Sequence, residues 1–166
     1  MTTIENQISG KLPTEDALKY ILAGNCTFTA KSLKSGDRFT YKVIVPKDTK
    51  PEEAKLWFVS VLTGSDNESD FSFLGTVRMD DDGDISYRPS PKSKIGLNAP
   101  SNIAWKFVFN VIGSHQHHPL LEIWHEGTCV RCGRKLTDPI SIVSAIGPEC
   151  RRIFSTKGIG INRTKI

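Results

Sequence analysis

No stretch of this 166-residue chain approaches the ~20 consecutive apolar residues that cross a bilayer, so no membrane-spanning helix is expected. The opening Met1-Thr-Thr-Ile-Glu5 lacks the basic-then-apolar layout of an export signal. Cysteine is scarce, at four residues. A chain of this length buries roughly 70% of its unfolded surface, so its core does not need disulfides. The expected compartment is the cytoplasm, where thiols stay reduced and available to metal. Internal repeats and low-complexity segments are absent. So are the short signatures of common catalytic machinery: there is no GxSxG, no P-loop and no HExxH. His125-Glu126 suggests a metal-dependent nuclease at most, and a metal-bound His125 is unavailable as a base. The expectation is a non-enzymatic protein with no small-molecule substrate.

What cysteine there is lies close together. The chain reads His125-Glu-Gly-Thr-Cys129-Val-Arg-Cys132-Gly133-Arg134 and, further on, Gly147-Pro148-Glu149-Cys150. Two residues between Cys129 and Cys132 let both sulfurs point into one tight turn. Gly133 falls where a chain reversing around an ion needs positive φ. Pro148 opens a short helix that carries Cys150 in its first turn, where free N–H groups and the helix dipole favour a thiolate. A knuckle followed by a ligand at a helix start is a treble-clef-like arrangement, and Zn2+ is the expected ion. Structural zinc takes four ligands. His125, four residues upstream of Cys129, is the expected fourth, with Cys26, His115, His117 and His118 as alternatives. Cys26, beside a strand, reads more simply as a small core residue, and the 115–118 tract as a solvated loop. A redox role for the pair is disfavoured, because redox CxxC pairs open a helix and residues 133–139 do not read as one.

Charge is uneven. Residues 127–166 hold eight Lys/Arg and two Asp/Glu, whereas residues 1–126 hold fourteen and sixteen. The positive charge therefore sits on the metal module and tail, which favours an anionic partner.

The rest of the chain reads as α+β. Pro13-Thr14-Glu15-Asp16 starts a helix whose Ala17, Leu18, Ile21 and Leu22 share a face, stopped by Gly24. Strands are expected over 27–30, 38–45, 56–62, 71–79, 85–88 and 120–124, with segment 56–62 central because it is nearly all apolar. Residues 80–84 form an acidic turn without the position-12 Glu of a calcium loop. Pro100-Ser101 opens a second helix with Ile103, Ala104, Phe107, Val108, Val111 and Ile112 at helical spacing, ended by Gly113. The expected architecture is an antiparallel sheet of about five strands covered by two helices in residues 1–118. A zinc module with a basic tail follows in 119–166.

The pattern Cys129-x-x-Cys132-Gly133-Arg134-x-Leu136-Thr137-x-Pro139-x-Ser141-Ile142, followed by Ile146-Gly147-Pro148-x-Cys150, resembles a family of uncharacterised bacteriophage and bacterial proteins. They share a zinc-finger-like module of unknown function. Phe28-Thr29, Phe39-Thr40-Tyr41-Lys42, residues 58–64, Leu74-Gly75 and Ser93 resemble the amino-terminal region of one branch. The resemblance implies bound zinc and a phage or prophage setting, and it implies no activity. Val143-Ser144-Ala145 departs from it, since a glycine is expected before Ile146. Arg131, Arg134, Lys135, Arg151 and Arg152 flank the ligands and are the candidate contacts to a nucleic acid or a nucleic-acid-processing host protein. An alternative is a phage inhibitor of a host complex, such as a defence nuclease, acting through residues 1–113.

Overall fold

The computed structural model describes residues 10–65, 69–136, 142 and 144–157. The turn expected around 137–140 and the tail from 158 lie outside them. In chain order the elements are β1 (Lys11–Leu12), a 3-10 turn (Thr14–Asp16), α1 (Ala17–Ile21), β2 (Asn25–Ser32), β3 (Arg38–Ile44) and a 3-10 turn (Pro51–Glu53). They continue with β4 (Leu56–Leu62), β5 (Phe71–Met79), β6 (Ile85–Pro89), α2 (Pro100–Gly113), β7 (Leu121–His125) and α3 (Pro148–Lys157).

The strands form one antiparallel sheet in the order β1-β7-β2-β3-β4-β5-β6. Among the described residues it has seven strands rather than about five. Two-residue β1 is too short to show alternation, and β7 was assigned to the module. Hairpins join β2 through β6 in sequence. The chain then runs through α2 to the opposite end of the sheet, where β7 inserts between β1 and β2. A boundary at 118/119 therefore cuts through the sheet. Residues 121–125 belong to it, and the metal module hangs from their end.

Both helices cover one face. Alternation on the strands turns Phe28, Tyr41, Val43, Trp57, Val59, Val61 and Ile123 inward, all at most 1% exposed. Strand β4 alternates buried and half-buried residues, so Leu56, Phe58 and Leu62 face outward. Its apolar sequence reflects a sheet with one partly apolar open face, not a strand covered on both sides. α1 buries Ala17, Leu18 and Ile21 as expected. In α2 the buried stripe is Trp105, Val108, Phe109 and Ile112, whereas Ile103 and Phe107 are 54% and 45% exposed. Trp105 is the hub of the core, with ring centroids of Tyr41, Tyr87, Phe109 and Phe28 within 5.2–6.2 Å. Tyr87 and Tyr41 turn their hydroxyls to α2, donating to Asn102 Oδ1 at 3.1 Å and Ser101 O at 2.7 Å. The loop after β6 is pinned by Ser93, whose hydroxyl donates to Phe73 O at 2.6 Å.

Candidate metal centre

β7 leads the chain off the sheet at His125. A short antiparallel bridge between Thr128 and Lys135 then closes a loop holding both Cys129 and Cys132. Inside it Cys129 N donates to Arg134 O at 2.8 Å and Gly133 N to Cys129 O at 2.7 Å. Gly133 adopts φ 78°, as its place in the knuckle requires. A Cβ there would fall 2.5 Å from Asn25 Nδ2, so the knuckle is seated on β2 through glycine. Asn25 N donates to Val130 O at 2.7 Å, a second tie to the sheet. Val130 N donates to Ala145 O at 2.9 Å, bringing the segment before α3 alongside.

This geometry brings Cys129, Cys132 and Cys150 together, with their sulfurs within 4.8 Å of one another. A tetrahedral thiolate site with metal–sulfur bonds of about 2.3 Å needs sulfurs about 3.8 Å apart, close to this spacing. The donor set fits a borderline-soft ion. Burial alone would push the Cys129 thiol up, but N–H groups of Gly147, Cys132 and Arg131 outweigh it and hold the pKa below the usual thiol value. At Cys150 burial prevails over a hydrogen bond from Arg131 and pushes the thiol up to about 11, so the helix start does not lower it as its position suggested. The charge on Cys129 adds to that rise. A bound dication would offset the repulsion between the Cys129 and Cys150 sulfurs.

His125 does not join the cluster. It is buried, Gly127 N donates to its Nδ1 at 2.9 Å, and its Nε2 is 2.6 Å from Ile142 O. With Nδ1 accepting, Nε2 carries the proton and donates, so neither nitrogen keeps a lone pair for an ion. The expected fourth ligand is instead a neutral brace between β7 and the segment before α3. Cys26 is fully buried on the inner face of β2, with its thiol pushed far up by burial, in keeping with a core role. The histidine loop is not free of acid, since His117 Nδ1 lies 3.4 Å from Glu15 Oε2. The His118 ring packs edge-on against Phe107. The acidic turn is a hairpin in which Asp80 Oδ1 accepts from Asp82 N and Asp84 N, both at 3.0 Å.

The five basic candidates divide. Arg131 turns inward, pairing with Glu52 at 2.7 Å and reaching Cys150 Sγ at 3.4 Å. Arg151 is half-buried and donates to Ser144 Oγ and Ile146 O. These two hold the module together and are not free to meet phosphate. Arg134 and Lys135 are exposed on the loop, and Arg152 is exposed while paired with Glu149 on α3. A guanidinium two residues from a cysteine fits either role by sequence. Only the position of Glu52 on a distant turn decides.

No helix among the described residues is long and apolar enough to cross a membrane. Neither the curated proteins nor the solved structures contain a match to this chain. A model described as a family of unknown function (DUF6011) matches residues 124–155, from the end of β7 through the knuckle and most of α3, and leaves the rest of the sheet outside the likeness.

Proposed function

We propose that this is a non-catalytic zinc protein whose module carries exposed cations to the phosphates of a nucleic acid. The observation that carries it is the three-sulfur cluster with Arg134 and Lys135 exposed on the same loop. Cys129, Cys132 and Cys150 hold the ion, and solvent or a residue outside the described set completes its shell. Zinc supplies rigidity here, since a short loop and one helix bury too little to fold alone. Arg134, Lys135 and Arg152 supply the charge. Without a recognition helix in a groove, contact is mainly to phosphate, and discrimination among base sequences is weak. The phage or prophage setting implied by the resemblance belongs to the same proposal.

Elemental analysis of protein purified without chelator should give about one zinc per chain. Cys129→Ser or Cys132→Ser should lose it, while Cys26→Ser should keep it. Arg134→Gln with Lys135→Gln should weaken binding alike for all sequences and lower the salt slope by roughly one to two units. Absence of metal sinks the zinc reading, and absence of any nucleic-acid binding at low salt sinks the phosphate reading.

A second reading rests on the exposed Ile103 and Phe107 of α2, neighbours one turn apart on the helix surface. They suit the protein-binding inhibitor. Capture of one host protein at high salt, lost in Phe107→Asp, would favour it over nucleic acid.

A further inference from the structure

Among the described residues, α1 and α2 cover one face of the sheet. The other meets the metal knuckle in an open concavity of about 870 Å3. Its floor is laid by Thr29 on β2 and by Arg38, Thr40 and Lys42 on β3, and Thr128 and Gly133 of the knuckle form one wall. Arg134 and Lys135 follow Gly133 on that lip. Arg38 and Lys42 have no carboxylate partner among the described residues. Glu122 pairs with Lys11 at 2.9 Å, and Glu126 accepts the Thr29 hydroxyl at 2.9 Å.

Half-buried aromatic rings stand on the same face. Trp124 is in register with Thr29, and Phe71 with Leu62. The two rings end a row that crosses five strands, so they lie roughly 19 Å apart at ~4.8 Å per strand. Phe58 and Phe73 form an edge-to-face pair on the neighbouring strands, with centroids 6.0 Å apart. Lys42 Nζ stands 4.5 Å from the Phe71 ring centre.

We propose that this concavity seats single-stranded nucleic acid, with phosphates on Arg38 and Lys42 and unpaired bases on the rings of the open face. This rests on the nucleic-acid reading above and names the form of the partner. Cations beside half-buried rings on an open sheet face match an unstacked strand, whose bases have free π-faces. A duplex keeps its bases stacked and offers those rings nothing. The Glu126 carboxylate repels phosphate and accepts hydrogen bonds from a base edge. The strand therefore lies with its backbone along β3, away from Glu126, and its bases on the rings to either side, Trp124 on β7 and the phenylalanines of β4 and β5.

One tryptophan reports on this face. Trp57 and Trp105 are 1% and 0% exposed in the core, whereas Trp124 is half-buried on the open side. The zinc-loaded full chain is titrated with an oligothymidylate of about 12 nucleotides and with a duplex of equal length. The single strand should bind at least about tenfold tighter and quench emission, and the quench should disappear in Trp124→Phe. Arg38→Gln with Lys42→Gln should lower the salt slope by about 1.4 units, two contacts at ~0.7 each, with zinc content and circular dichroism unchanged. Equal affinity for the duplex, or binding without quenching, overturns the proposal. So does a slope that responds to Arg134→Gln with Lys135→Gln but not to the β3 pair, although the module reading then stands. Loss of binding through the β3 pair alone keeps the sheet seat and removes the module. No binding of either oligonucleotide at low salt overturns both.

Discussion

At His125 burial disfavours the imidazolium, so the folded pKa lies below that of a free side chain. The unfolded chain then takes up the proton first. Stability present above pH ~6.5 is lost as pH falls from there toward the folded value. With zinc saturating, the thermal midpoint of the parent should fall more steeply between about pH 7 and pH 5 than that of His125→Gln. Thiolate protonation is common to both proteins and cancels in the comparison. A second residue carries strain. Ala145 is fully buried at φ 62°, in the stretch where the resemblance implies a glycine. Left-handed backbone costs a side chain about 1–2 kcal/mol, while glycine there costs roughly 0.5–1 in entropy, so Ala145→Gly should change stability by less than about 1 kcal/mol. Ala145→Val, branched at Cβ, should lose more than about 2 kcal/mol, and denaturant unfolding separates the two outcomes. The cysteines were legible from spacing alone. His125 was misread because spacing places a residue near a site without saying which way its lone pairs are committed.

Among the elements, β4, β5 and α2 have the bounds expected from sequence, because turn residues and Pro100 punctuate them sharply. What sequence did not yield is the orientation of α2. Apolar residues surround this helix, so several faces fit a buried stripe equally well. The core selects the one with Trp105, since its ring fills the space between Tyr41 and Tyr87. Trp105→Ala should cost about 3–5 kcal/mol, as expected for deleting a fully buried ring. Ile103→Ala, on the exposed side, should stay within about 0.5 kcal/mol by the same unfolding measurement. The open face of the sheet was equally hidden. Arg38, Thr40 and Lys42 alternate along β3, but only pairing sets them beside Thr29 of β2 and the rings of β4, β5 and β7.

For the whole molecule, the decisive feature is where the seventh strand goes. Residues 120–124 read as a strand, but a local sequence pattern carries no information about the strand's neighbours. A chain ending at Pro119 would keep six strands and both core helices, yet leave β1 and β2 with no strand between them. It should fail to give a cooperative thermal transition, and a chain ending after Glu126 should recover one. A cooperative transition in the shorter chain would show that the sheet closes without β7. The same insertion sets a clock on biosynthesis. At translation rates of ~5–20 residues per second, on the order of ten seconds pass between completion of the β2–β3 hairpin and the arrival of β7. During that interval β2 presents a free row of N–H and C=O groups, and any other nascent copy can pair with it. Among the described strands, the last to be made closes the gap, and the three clustered cysteines follow it out of the ribosome. Any metal capture at that cluster would come after the sheet is sealed, so a stalled or shortened chain is exposed to aggregation first.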